Sequence, residues 1–148
     1  MLVAKFFHLL GLTLWVGGMF FAHMALRPAL AVLQPEQRLT LMAAVLGNFF
    51  TWVWIAIALL LGSGMHMMAL LGSAHAPYLH AMAGIGVVMM LIFGHIYFAP
   101  FRRLKLAAAQ QDWDRASRAL GQVRLLVSVN LCLGLLTIAI GVLGPLAA

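Results

Sequence analysis

The chain has little charge of either sign and very little acid. Charged residues make up 8% of its 148 positions, three carboxylates stand against nine Lys and Arg residues, and 65% of the residues are hydrophobic. Soluble domains are typically about one-quarter charged and about half apolar. The composition therefore excludes a water-soluble globular domain, and four membrane crossings of roughly 20 residues each leave no room for a separate catalytic domain.

Cysteine and membrane carboxylates are also scarce, which limits the kinds of metal and cofactor site that the chain can form. The single cysteine, Cys132, lies in an apolar run, so an internal disulfide and a cysteine-based zinc or iron–sulfur site are excluded. A bound metal or cofactor must depend on His or Met.

The formal net charge of +6 would favour nucleic acid in a soluble protein, but basic residues that flank long apolar runs indicate membrane topology. We therefore predict no nucleic-acid partner.

Four apolar runs predict an all-α integral membrane protein, a single four-helix bundle with up-down-up-down topology over residues 1–148. The predicted spans are 2–26, 41–71, 78–101 and 123–146. Arg27-Pro28 is expected to end the first helix, because proline interrupts helical hydrogen bonding. The hydrophilic stretch 102–122 is expected to form a helical extension and a turn.

The basic residues predict the orientation of the bundle. Arg27, Arg38 and the six Lys and Arg residues between 102 and 124 flank one membrane face, whereas Lys5 alone flanks the other. Cytoplasmic flanks carry the excess of Lys and Arg. Both termini and the turn with His75 are therefore predicted on the non-cytoplasmic side of a bacterial inner membrane.

Six histidines are the most informative polar residues, because an imidazole in lipid needs a partner or a ligand. His8 and His23 lie 15 residues apart in the first span, and His80 and His95 lie 15 residues apart in the third. Since these spans run in the same direction, the rings form two pairs at matching depths, about 22 Å apart. The two rings on each helix differ by only about 60° in direction, so one face can carry both.

This spacing predicts haem b, one or two per chain, with bis-His ligation. Cofactors of helix bundles lie in the core between facing helices, and two diagonal imidazoles suit the axial positions of a haem better than a four-ligand zinc site. We expect His8 to pair with His80 toward the outer side and His23 with His95 toward the cytoplasm. Two haems at these depths would carry electrons within or across the membrane.

Three other residues are assigned to the predicted haem sites. Lys5 on the outer side and one of Arg27, Arg102 and Arg103 on the inner side are expected to pair with propionates, because carboxylates near the membrane need a cationic partner. Trp15 is expected to pack on a porphyrin or to anchor the helix at the interface.

A copper site is the main chemical alternative. The segment Met65-His66-Met67-Met68 lies near the outer end of the second span, close in depth to His8, His75 and His80. Thioether and imidazole ligands together suit Cu(I). His66, Met65 and Met68 are therefore second-choice metal ligands, although methionine is also a common packing residue.

The first span also carries a family resemblance. The segment KFFHLLGLTLWVGGMFF followed by RPAL resembles the opening of the CopD family of bacterial membrane proteins and of the related HemJ-type protoporphyrinogen oxidases. Their pattern Lys-x-x-His-x6-Trp-x-x-Gly falls on Lys5, His8, Trp15 and Gly18. The resemblance implies a four-helix, haem-b or copper-associated membrane protein with His8 as a ligand.

The third span resembles the third helix of the same superfamily, from LHAMAGIG to His95 and Arg102. It departs from the Leu-His-x-Lys pattern of the HemJ branch, because Met82 stands where the lysine would be. This substitution argues against a protoporphyrinogen oxidase.

The function predicted from the sequence is therefore a haem-b membrane redox protein, and if it is an enzyme, a haem-dependent oxidoreductase. A CopD-like copper-handling protein, a HemJ-like oxidase and a helper subunit of a larger complex stay open as alternatives. The lipid bilayer is the expected environment. A quinone, another redox protein and a second copy of the chain are the partners compatible with this reading.

Overall fold

The computed structural model describes residues 1–71 and 76–147. These residues form five helices and no strand, which confirms the all-α prediction. The helices are α1 (Leu2–Val32), α2 (Pro35–Leu71), α3 (Pro77–Phe98), α4 (Pro100–Ala109) and α5 (Trp113–Ala147). Four helical stretches are long and apolar enough to cross a membrane, and α3 and α4 together form the third.

Helix α1 continues past the proline that was expected to end it. It contains two wider π turns, Thr13–Gly17 and Ala22–Leu26, and it ends in a 3₁₀ turn at Leu30–Val32. The amide of Arg27 bonds to the carbonyl of Ala22, five residues back. A proline disrupts least where the i→i−4 hydrogen-bond pattern is already interrupted, so the π turn before Pro28 lets the helix pass through it.

The third helical stretch breaks where α3 meets α4. Ala99 leaves the helical conformation, with φ −116° and ψ −88°, immediately before Pro100. Proline restricts the residue before it and cannot donate to the previous turn. Helix α4 then leads into a short turn at which Gln111 has a φ of 56°, and α5 begins at Trp113.

The helices pack as two antiparallel hairpins. Helix α1 lies along α2, whereas α3 and α4 lie along α5. Without a hydrophobic force between helices in lipid, close packing at small residues holds them together. Gly134 shows how closely α5 approaches α1 of the other hairpin: a Cβ built on it would lie 2.8 Å from Cγ2 of Val16, too near for any larger residue.

An aromatic core joins the two hairpins. Phe50 of α2 contacts the rings of Phe93 and Phe101 edge-on, at centroid distances of 5.3 and 4.8 Å. Trp15 of α1 meets Phe93 of α3 at 6.0 Å. All four side chains are buried, so the middle of the bundle is filled with protein side chains.

The bundle has two distinct ends. We call the end that holds Met1, Leu71 and Pro77 the terminal end. The other end holds the α1–α2 turn at residues 33–34 and the α4–α5 turn at residues 110–112. We call it the basic end, because eight of the nine Lys and Arg residues lie in these turns or in the halves of the helices next to them.

Candidate functional site

At the terminal end, one histidine of α1 is fixed by a serine of α2. His8 Nδ1 lies 3.0 Å from Ser63 Oγ. Ser63 is buried, and its hydroxyl also bonds to the carbonyl oxygen of Leu59 in the preceding turn of α2. The serine therefore connects the imidazole to the backbone of the neighbouring helix.

These two hydrogen bonds favour one tautomer of His8, assigned from the hydrogen-bond pattern. A serine hydroxyl has a single proton, and the Leu59 carbonyl can only accept, so Ser63 Oγ donates to Leu59 and accepts from His8 Nδ1. His8 is then the tautomer with a proton on Nδ1 and a lone pair on Nε2. Metal-binding histidines have this arrangement, with the second nitrogen held by an outer hydrogen bond.

A groove of about 460 Å³ lies beside this pair, between α1 and α2. Ser63 and His66 of α2 line it, opposite Ala4 and Phe7 of α1. Gly64 of α2 lies beside the imidazole, and a Cβ built on it would make ordinary van der Waals contact with Cε1 of His8 at 3.6 Å. The structure thus brings His66 into the same groove as the serine that holds His8.

The methionine cluster lies on the same part of α2. Met65 is 65% exposed and Met68 is half-buried, while His66 is exposed toward the groove. Within residues 1–71 and 76–147, no three His, Cys, Asp or Glu side chains are grouped as a metal centre. His75, also considered from the sequence, lies outside the described residues.

A second histidine–serine pair occupies the basic end. His23 Nδ1 lies 3.4 Å from Ser128 Oγ of α5, and Ser128 also donates to the carbonyl of Arg124 at 2.8 Å. The same proton count favours the tautomer of His23 with a proton on Nδ1 and a lone pair on Nε2. The two histidines of α1 thus contact different neighbours, His8 on α2 and His23 on α5.

The remaining predicted haem residues are dispersed. His80 and His95 of α3 are exposed, as are Lys5 and Arg102. Trp15 packs in the aromatic core, 2% exposed. This arrangement gives no support to a haem between α1 and α3, because buried Trp15 and Phe93 pack against each other between these helices. Haem ligation by His8, His80, His23 and His95 stays a prediction.

Ser63 and Ser128 were not singled out from the sequence. Each serine bonds back to the residue four positions earlier, which is common for serine in apolar helices, so neither residue alone signals a site. What could have indicated the site is a match in depth. Helices α2 and α5 both run antiparallel to α1, and each has a serine at the depth of an α1 histidine. That match depends on which helices adjoin α1.

Comparison with known proteins gives one result that bears on this site. The family model of copper resistance protein D, CopD, matches residues 43–143, which are 101 of the 148 residues. The match includes the methionine cluster and His66, and it ends within α5. No curated protein and no solved structure matches the chain. With its four apolar helical stretches, this multi-pass membrane protein belongs to the CopD family.

Proposed function

We propose that this protein handles copper in the bacterial inner membrane, binding Cu(I) as its cargo in the groove at the terminal end, on the outer side. The family match supports copper as the metal. The observation that carries the proposal is the pairing of His8 with Ser63 beside a groove lined by His66. Soft thioethers together with imidazole favour Cu(I) over harder divalent ions.

Each residue has a defined role in this proposal. His8 presents Nε2 because Ser63 holds Nδ1, and His66 supplies a second imidazole from α2. Met65 and Met68 lie one and two residues from His66 and would supply soft thioether ligands. Helix α1 brings His8 to α2 through close packing at Gly11, where a Cβ would lie 3.0 Å from the Ala56 carbonyl oxygen.

The outer placement rests on the distribution of basic residues. The terminal end carries Lys5, whereas the basic end carries the arginines of α1, α2, α4 and α5. The positive-inside rule assigns the basic end to the cytoplasm. A copper ion in the groove would then be exchanged with the periplasmic side.

A haem-b electron carrier is the rival function. It requires the imidazoles of α1 and α3 to face one another across the bundle, and the exposure of His80 and His95 on α3 does not favour it. An absorbing haem and bound copper are easily distinguished, so one preparation of the protein separates the two functions.

The serines provide a matched pair of variants that tests the proposal. In a competition titration with a Cu(I) chelator, Ser63→Ala should weaken Cu(I) binding by about tenfold or more, because outer hydrogen bonds orient metal ligands and their loss typically costs 10- to 100-fold. Ser128→Ala removes the same hydroxyl from the other histidine of α1 and should leave Cu(I) affinity unchanged.

Equal Cu(I) affinity in the wild type and Ser63→Ala would refute the groove as the site. A loss in Ser128→Ala alone would move the metal to His23 at the basic end. Helical content measured by circular dichroism confirms that both variants are folded before they are compared.

A further inference from the structure

Two arginines line one small cavity at the basic end, where α1, α2 and α5 come together. Arg27 of α1 and Arg124 of α5 both border this cavity, and His23 of α1 also lines it. Two like charges at one cavity are unfavourable unless an anion offsets them.

Arg124 has a buried hydrogen-bond donor that no described residue satisfies. Its Nε is buried and has no hydrogen-bond partner within the described part of the chain. Arg38, in contrast, has its Nε bonded to the carbonyl of Leu33 at 2.8 Å, which holds its guanidinium at the α1–α2 turn. A buried donor without a partner is costly, and a guanidinium presents several donors in a fork that suits a phosphate.

No carboxylate lines this cavity. The three acidic residues of the chain, Glu36, Asp112 and Asp114, are all exposed. The other lining residues are apolar, from Met42 and Leu46 of α2 and Leu120, Val123 and Val127 of α5. The protein therefore supplies two positive charges here and no negative charge to offset them.

The size of the cavity limits what can enter it. Its volume is about 30 Å³, and a single water needs roughly half of that. One or two ligand oxygens fit inside, whereas a whole headgroup does not. Arg27 is exposed, so the rest of the ligand would lie outside the cavity beside this residue.

From this arrangement we infer that the basic end binds a phosphate group, with one oxygen directed at Arg124 and another at Arg27. The source we favour is the headgroup of an anionic phospholipid. Arg27 and Arg124 border the most apolar parts of α1 and α5, where headgroup phosphates lie, and basic residues at this level attract anionic lipids. Free phosphate has the same chemistry and is separated from lipid by experiment.

The test is lipid binding to the full chain in detergent, measured by native mass spectrometry. Wild-type protein is titrated with phosphatidylglycerol and with phosphatidylcholine, which carries the same phosphate without net charge. We expect preferential binding of phosphatidylglycerol, and we expect Arg124→Gln to weaken it by about tenfold or more, because a hydrogen bond to a charged group is lost. Arg118→Gln, an exposed arginine of α5, is the matched control and should bind as the wild type does.

A second variant keeps the test decisive if Arg124→Gln does not fold. Arg27→Gln removes the exposed member of the pair and should also weaken phosphatidylglycerol binding. Equal binding of the two lipids, or phosphatidylglycerol binding that is unchanged in both Arg124→Gln and Arg27→Gln, would overturn the inference. If excess inorganic phosphate displaces phosphatidylglycerol from wild type but not from Arg124→Gln, the lipid is bound through its phosphate at Arg124, as inferred. Phosphate adducts on the wild type without any preference for phosphatidylglycerol would make free phosphate the source and overturn the lipid assignment.

Discussion

Replacing His66 or His8 by alanine should reduce Cu(I) affinity at least 100-fold, the largest functional effect expected of any single substitution. Loss of an outer hydrogen bond to a metal ligand already costs 10- to 100-fold, and removal of the ligand itself should cost no less. His66 lines the groove, and His8 is held beside it by Ser63. The measurement is a competition titration of the purified variants with a Cu(I) chelator.

Two other histidine variants serve as controls. His95→Ala alters an exposed ring of α3, and His23→Ala alters the ring that contacts Ser128 of α5. Neither residue lies at the groove, so both variants should bind Cu(I) as the wild type does. Wild-type affinity in His66→Ala and His8→Ala would contradict the groove site, whatever the controls do.

The largest effect on stability is expected from Phe50→Ala. Phe50 is 1% exposed, and its ring contacts Phe93 of α3 and Phe101 of α4. Truncation leaves a cavity where α2 meets the second hairpin, and cavities of this kind cost about 3 kcal/mol or more. Since packing holds membrane helices together, the free energy of unfolding should fall by about 3 kcal/mol, measured by SDS titration in mixed micelles.

Phe21→Ala is the matched control for this substitution. Phe21 is 61% exposed on α1 and lies on a lipid-facing surface, so its removal opens no internal cavity. Its free energy of unfolding should stay within about 0.5 kcal/mol of the wild-type value. If Phe50→Ala is as stable as Phe21→Ala, the aromatic core does not join the two hairpins as described.

The fold class was predictable because lipid imposes a simple rule. Long apolar runs without charge can satisfy their backbone only as helices, and four such runs predicted the all-α bundle that the structure has. The end of the first helix was less predictable. Pro28 is a standard helix terminator, but the π turn at Ala22–Leu26 depends on hydrogen bonds that no sequence pattern reports.

The candidate site was only partly predictable, because residue spacing gives depth but not direction. The 15-residue interval of His8 and His23 placed them at two levels of α1. The predicted angle between the two rings assumed a regular helix. The π turn at Thr13–Gly17 lies between them and changes the angle about the helix axis from one ring to the other. Their serine partners belong to two different helices, which is information about tertiary packing alone.

The alternative drawn from Met65, His66 and Met68 depends less on the bundle topology, since these residues belong to one short segment of α2. The match of residues 43–143 to CopD supports copper as the metal. Copper binding by these three residues stays a prediction.

The most direct measurement is the metal content and absorption spectrum of one preparation, purified from cells that have both copper and haem in excess. Copper handling at the groove predicts about one copper per chain, lost when His8 and His66 are both alanine, and no Soret band. A Soret band in the absence of copper, retained in that double variant and lost in His23→Ala, would contradict the copper site and establish a haem protein instead.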